Sequence, residues 1–273
     1  MQEEWTEKHR PRTLADIVGN EQAIRTLRRW ADSWIAGSPR YKAIVLRGEP
    51  GTGKTSASLA LARDLGWDVV EMNASDHRNA ESIRKVATMG AISQTFAPTG
   101  EFLSSSKGRR KLIILDEADN LFGREDYGGA KAIVDTIKES GQPIILIVND
   151  FYELTRKASA LKTLADKATF YRLDRRSVTQ LLKKVCQKEG VAVEESALDA
   201  IALNAGGDLR AAVNDLQMLV EGRSRVSTGD TGALGKRNQE KELAVALRAM
   251  FGSTAARSAR DATMDVDLTP DEL

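Results

Sequence analysis

An α/β domain, with a parallel sheet layered between helices and a small helical domain after it, is the fold this 273-residue sequence predicts. Three observations carry it. Short apolar runs alternate with helical patterns as far as about residue 173. A glycine-rich stretch, GEPGTGKT, stands between one such run and a helix. Beyond residue 173 the strand-like runs stop and helical stripes replace them.

Each element follows from its local pattern. AIVLR at 43–47 is a buried strand leading into GEPGTGKT, and SASLALARDLG is a helix closed by Gly66. Further strands are expected at 67–72 (WDVVEM), 111–116 (KLIILD), 143–149 (PIILIVN) and 168–173 (ATFYRL). These make residues 1–173 one domain. SVTQLLKKVCQKEG places apolar residues at 178, 181, 182 and 185 and ends at Gly190, a helical stripe with a glycine stop. ESALDAIALNAGG and DLRAAVNDLQMLVEG are the next two helices, so a helical lid occupies 174–222. GRSRVSTGDTGALGKRNQ reads as a connector and EKELAVALRAMF as a helix, which makes 223–273 a connector and the beginning of a further, incomplete domain.

Composition narrows the function classes. Lys and Arg number 40 against 39 Asp and Glu, so net charge argues neither for nor against nucleic acid. A single cysteine, Cys186, and two histidines leave no disulfide framework and no zinc-type cluster. The polar start MQEEWTEKHR has no apolar signal core, and no apolar run is long enough to cross a bilayer. The expectation is a soluble, cytoplasmic protein without membrane partners.

The chemistry lies in the loop. GEPGTGKT fits G-x-x-x-x-G-K-[ST] in its strand–loop–helix context. Gly48, Gly51 and Gly53 let the chain turn its N–H groups around phosphate oxygens, and the following helix points its positive end there. Gly48, Glu49, Pro50, Gly51, Thr52, Gly53, Lys54, Thr55 and Ser56 are therefore the phosphate-site candidates. Lys54 should reach the β- and γ-phosphates of ATP, and Thr55 should hold Mg²⁺.

A second carboxylate-bearing strand completes the site. In KLIILDEADN, Asp116 is placed to bind Mg²⁺ and Glu117 to polarise a water against the γ-phosphate. Asn149, at the carboxyl end of the run PIILIVN, can orient that water. Arg210 opens the third lid helix although a cation there faces the positive helix end, at about 0.3–1 kcal/mol. Either it points into water or it reaches a bound anion.

WTEKHRPRTLADIVGNEQA, GEPGTGKTS, NASD at 73–76, LDEADN, IVND and GDLRAAVNDL together resemble an AAA+ ATPase, and more narrowly a clamp-loader subunit of the replication factor C family. The opening motif is shared loosely with branch-migration motors. The resemblance implies that Arg12, Ile17 and Val18 border the adenine, and that Asn149 and Arg210 are the two nucleotide sensors. It also implies small replication factor C subunits, the sliding clamp PCNA and primer–template DNA as partners, with Arg78, Arg84 and Lys85 as DNA candidates. KGRRK at 107–111 is a second basic cluster, and a solvated basic face explains each position equally well.

Small subunits of the family carry Ser-Arg-Cys before the last strand, where the arginine serves a neighbour's ATP. Ala165, Asp166 and Lys167 stand there in this chain. The departure is like the large subunit of an archaeal-type assembly. DVDLTPDEL at 265–273 reads as a capping box opening a helix of which only the start is given, and the resemblance implies that a helical collar domain follows. The reading is an ATP-driven clamp-loading subunit; the alternatives are a nucleotide-bound scaffold with little hydrolysis and another AAA+ DNA-remodelling ATPase of the branch-migration type, and a phosphotransferase is weakly supported.

Overall fold

The computed structural model describes residues 3–73, 94–96, 102–104, 110–119, 129–223 and 225–232. The chain divides into two compact units. One is residues 1–173 together with Asp208–Arg210, and the other is residues 174–207 with the chain from Ala211 onward.

In the first unit, helix α1 (Trp5–Lys8) and α2 (Glu21–Ile35) precede strand β1 (Ala43–Arg47) and α3 (Lys54–Leu65). Strand β2 (Asp68–Asn73), an antiparallel pair β3 (Gln94–Phe96) and β4 (Phe102–Ser104), and β5 (Lys111–Asp116) follow. Then come α4 (Gly129–Glu139), β6 (Ile144–Val148), α5 (Phe151–Lys157), α6 (Leu161–Leu164) and β7 (Ala165–Thr169). The main sheet is wholly parallel, in the order β2-β5-β6-β1-β7.

The central strands are buried on both faces because their residues alternate between two cores. Val45, Ile113, Leu115, Ile144 and Leu146 pack with Ile133, Ile137 and Leu154 on one side. Ile44, Leu46, Leu112, Ile114 and Ile145 pack with Leu27, Trp30, Trp34 and Leu61 on the other. Alternation at period two thus produces three layers from near-continuous apolar runs.

Three strands differ from their expected bounds, β6 least, being one residue shorter than 143–149 at each end. β2 begins at Asp68, because Trp67 packs against the second core instead of pairing. β7 runs over Ala165–Thr169, not 168–173. Among the described residues it pairs only with β1, from Ala43↔Ala165 to Arg47↔Thr169, and β1 ends where the loop turns away at Gly48. Phe170 makes one more backbone bond, to the Arg47 carbonyl at 2.8 Å, and plugs the second core, whereas Tyr171 is exposed. The apolar pattern that suggested a strand is therefore a core plug. The β3–β4 pair was not expected either, since neither three-residue strand carries a readable alternation.

In the second unit, α7 (Arg175–Glu189) is capped by Asp174, whose carboxylate accepts the Ser177 N–H at 2.8 Å, and it stops at Gly190 with φ +68°. Strand β8 (Ala192–Val193), α8 (Glu195–Ala205), α9 (Leu209–Val220, of which the part from Ala211 belongs to this unit) and β9 (Arg225–Val226) follow, with β8 and β9 parallel. Val178, Leu182, Val185 and Cys186 of α7 are buried, as are Leu198, Ile201, Val213 and Leu216 of α8 and α9. Asp199 accepts hydrogen bonds from the Thr179 hydroxyl at 2.8 Å and from Arg175 at 2.6 Å, tying α8 to α7. The expected helix EKELAVALRAMF and the terminal DVDLTPDEL lie outside the described residues. Among the described residues, no helix is long and apolar enough to cross a membrane.

Candidate nucleotide site

β5, β6 and β1 lie side by side and parallel, so their carboxyl ends converge on one edge of the sheet. β1 delivers the loop 48–53, β5 delivers Asp116, and β6 ends just before Asn149. Sequence-distant groups meet there for that reason alone.

Two glycines of the loop are required by what approaches them. A Cβ on Gly48 would overlap the Phe170 carbonyl, and one on Gly51 would overlap the Asp208 carboxylate. Gly51 also accepts the Leu209 N–H at 3.0 Å, within the first unit. Thr52 is buried and its hydroxyl donates to the Glu49 carbonyl at 2.8 Å, which ties the loop across itself. Glu49 and Pro50 are exposed, and Ser56 is half-buried.

Lys54 is 6% exposed. Its ammonium donates to the Gly48 carbonyl at 2.6 Å, the Glu49 carbonyl at 2.8 Å and Asn149 Oδ1 at 3.1 Å. Burial lowers its pKa, and the nearby carboxylates of Asp116 and Asp119 oppose that shift while Arg210 adds to it. Arg210 itself is exposed.

The Thr55 hydroxyl donates to Asp116 Oδ2 at 2.8 Å. Two hard oxygen donors so close together suit Mg²⁺, which is held by one or two side chains and keeps the rest of its shell for water and phosphate. Asp116 Oδ1 accepts the Glu117 N–H at 2.8 Å. Glu117 holds φ +52°, a left-handed conformation uncommon outside glycine and concentrated at functional sites.

The adenine candidates are less gathered. Arg12 is exposed and its N–H reaches Asp16 at 3.3 Å, while Ile17 packs against the second core and Val18 is half-buried. Arg78, Arg84 and Lys85 lie outside the described residues, as do residues 74–76 of NASD and 107–109 of KGRRK. The remaining two residues of that basic cluster need correcting as a free surface. Lys111 is 2% exposed within β5, and Arg110 stacks over the Trp34 ring at 5.3 Å. Lys167 lies over the Phe151 ring at 5.3 Å, and Arg47 lies over the same ring at 5.5 Å.

Three polar residues escaped sequence reasoning. Asn20 holds Tyr171 with both ends of its amide, accepting the Tyr171 N–H at 2.8 Å and donating to its carbonyl at 3.0 Å. Arg172 pairs with Glu49 of the loop. Asp119 accepts the N–H groups of both Asn149 and Asp150 at 2.9 Å. The Gly19–Asn20 dipeptide ahead of α2 was a local turn signal, and in the structure both residues take positive φ.

Residues 44–139 match the family described as "ATPase family associated with various cellular activities (AAA)", and residues 180–219 match the "RCF1/5-like, AAA+ ATPase lid domain". Solved structures of Thermotoga maritima RuvB, one described as a Holliday junction branch migration motor, superpose with TM-score 0.65 at 16% identity, covering 97% of this chain and 88% of theirs. The fold is therefore that of an AAA+ P-loop nucleoside triphosphatase with an RCF1/5-like lid. Over almost its whole length the chain is similar to archaeal replication factor C large subunits. It is 43% identical over 99% of its length to that subunit from Methanosarcina mazei, and equally so to that from Halobacterium salinarum. The Archaeoglobus fulgidus subunit is 43% identical over 98% of this chain. The chain spans 42%, 54% and 55% of those three relatives, about half their length.

Proposed function

We propose that this chain is the nucleotide-binding and lid portion of an ATP-driven clamp-loader large subunit. The observation that carries the reading is the meeting of two hydrogen-bonded pairs at one sheet edge, Lys54 with Asn149 at 3.1 Å and Thr55 with Asp116 at 2.8 Å. ATP places its phosphates in the loop 48–53, and Lys54 exchanges its carbonyl partners for β- and γ-phosphate oxygens. Thr55 and Asp116 would hold Mg²⁺, and the ion would supply positive charge against the phosphates. Glu117 accepts a proton from the attacking water, Asn149 orients that water, and Arg210 approaches the γ-phosphate. Arg12, Ile17 and Val18 border the adenine.

The chain takes an arginine from a neighbouring small subunit and returns none, since Ala165, Asp166 and Lys167 occupy the corresponding stretch. Its further partners are PCNA and primer–template DNA, with Arg78, Arg84 and Lys85 as contacts to the phosphate backbone. The test is phosphate release by the pure chain, then with archaeal small subunits, PCNA and primed DNA. An arginine supplied in trans is worth about 10³–10⁵ in rate, so release should rise steeply on addition. ATP binding with no release under any condition would favour a nucleotide-bound scaffold, and no ATP binding would end the reading.

A further inference from the structure

We propose that Asp119 is a positioning residue for hydrolysis, fixing the backbone from which Asn149 projects to the turn that carries Asp116 and Glu117. The inference rests on the ATPase reading above.

Asp119 lies in the turn after β5. Its Oδ2 accepts the Asn149 and Asp150 N–H groups, each at 2.9 Å. The same turn donates the Ala118 N–H to the Ile147 carbonyl at 2.9 Å. Three bonds thus join the carboxylate-bearing turn to the end of β6. Only the two side-chain torsions of Asn149 separate this clamp from the Oδ1 that accepts Lys54. A displaced peptide at Asn149 would displace its amide from the reacting water.

Two observations separate this from ordinary fold support. Helix α5 already has its cap: the Asp150 carboxylate accepts the Tyr152 and Glu153 N–H groups at 2.7 and 3.1 Å. Asp119 therefore orders the backbone ahead of the helix and not the helix itself. Its second oxygen, Oδ1, is buried without a hydrogen-bond partner among the described residues. An orphaned buried acceptor disfavours the fold, so stability alone does not account for a carboxylate here.

The experiment is single-turnover hydrolysis of radiolabelled ATP by the whole chain, beside the affinity for a fluorescent ATP analogue. Asp119→Asn keeps an acceptor oxygen at the same reach and removes the charge. Asp119→Glu keeps the charge and moves the oxygens by one methylene. Asp119→Ala removes both. If position matters, the Glu and Ala variants lose hydrolysis by about tenfold or more, with affinity within about threefold of wild type, while the Asn variant stays close to wild type. Asp119→Ala and Asn149→Ala combined lose no more than either alone, because both remove one device. An active Glu variant with an inactive Asn variant would overturn the proposal in favour of plain charge. Additive losses, or affinity falling in step with turnover, would also overturn it. A wild-type chain that binds no ATP overturns the ATPase reading instead. Amide exchange at Asn149 and Asp150, faster in the Ala variant but not in Asp119→Asn, then still reports on the clamp.

Discussion

The Thr55 hydroxyl and Asp116 Oδ2 stand 2.8 Å apart, joining the first turn of α3 to the end of β5. These are the two ligands proposed for Mg²⁺. Asp116→Ala should leave some metal-free ATP binding but abolish its enhancement by Mg²⁺. Titration with ATP in magnesium and in chelator checks this, and an unchanged ratio of the two affinities would contradict it.

Lys54→Ala should weaken ATP binding by at least about tenfold, because hydrogen bonds from a charged donor are worth about 1.5–3 kcal/mol. The fold should survive. The variant frees the Gly48 and Glu49 carbonyls but also removes an ammonium whose burial is already unfavourable. Calorimetry gives the affinity and thermal melting the stability.

Arg210→Ala should affect nucleotide response more than stability. Removing a cation from a helix N-terminus leaves stability unchanged or raises it by about 0.3–1 kcal/mol, so the melting temperature should not fall. The rise in melting temperature on adding ATP should shrink. A large drop in melting temperature without nucleotide would show that Arg210 supports the fold.

Acid should loosen the second unit. Hydrogen bonds from Thr179 and then Arg175 hold the Asp199 carboxyl below its ordinary value of 3.8. A depressed folded-state pKa contributes stability above the ordinary value, and that contribution fades as pH falls through the depressed one. Asp174 and Asp230 shift in the same direction through N–H donors of their own. The stability difference between wild type and Asp199→Asn should therefore be full near neutrality and vanish under strong acid. A difference that grows on acidification would reverse the sign.

Contiguous motifs were legible and long-range pairings were not. GEPGTGKT and LDEADN announce themselves because the strand, loop and helix around each are consecutive in sequence. Asn20 and Tyr171 lie 151 residues apart, and no local pattern says that one amide will hold the other peptide. Asp119 follows Asp116 so closely that it reads as one more loop carboxylate, until β6 is placed beside β5. The misjudged start of β7 has a similar cause. ADKAT pairs at the sheet edge with few apolar residues, while Phe170 draws attention by filling the core beyond it.

Ile113 and Ile114 are neighbours in the chain yet serve different cores. Shortening both should therefore open two separate voids, whose energetic effects add. Ile113 and Leu146 are distant in sequence but share a side of the sheet, so a shortened Ile113 can be offset by a larger residue on that side. Drift in this protein would then run as two independent histories, with compensating changes confined to one surface of the sheet.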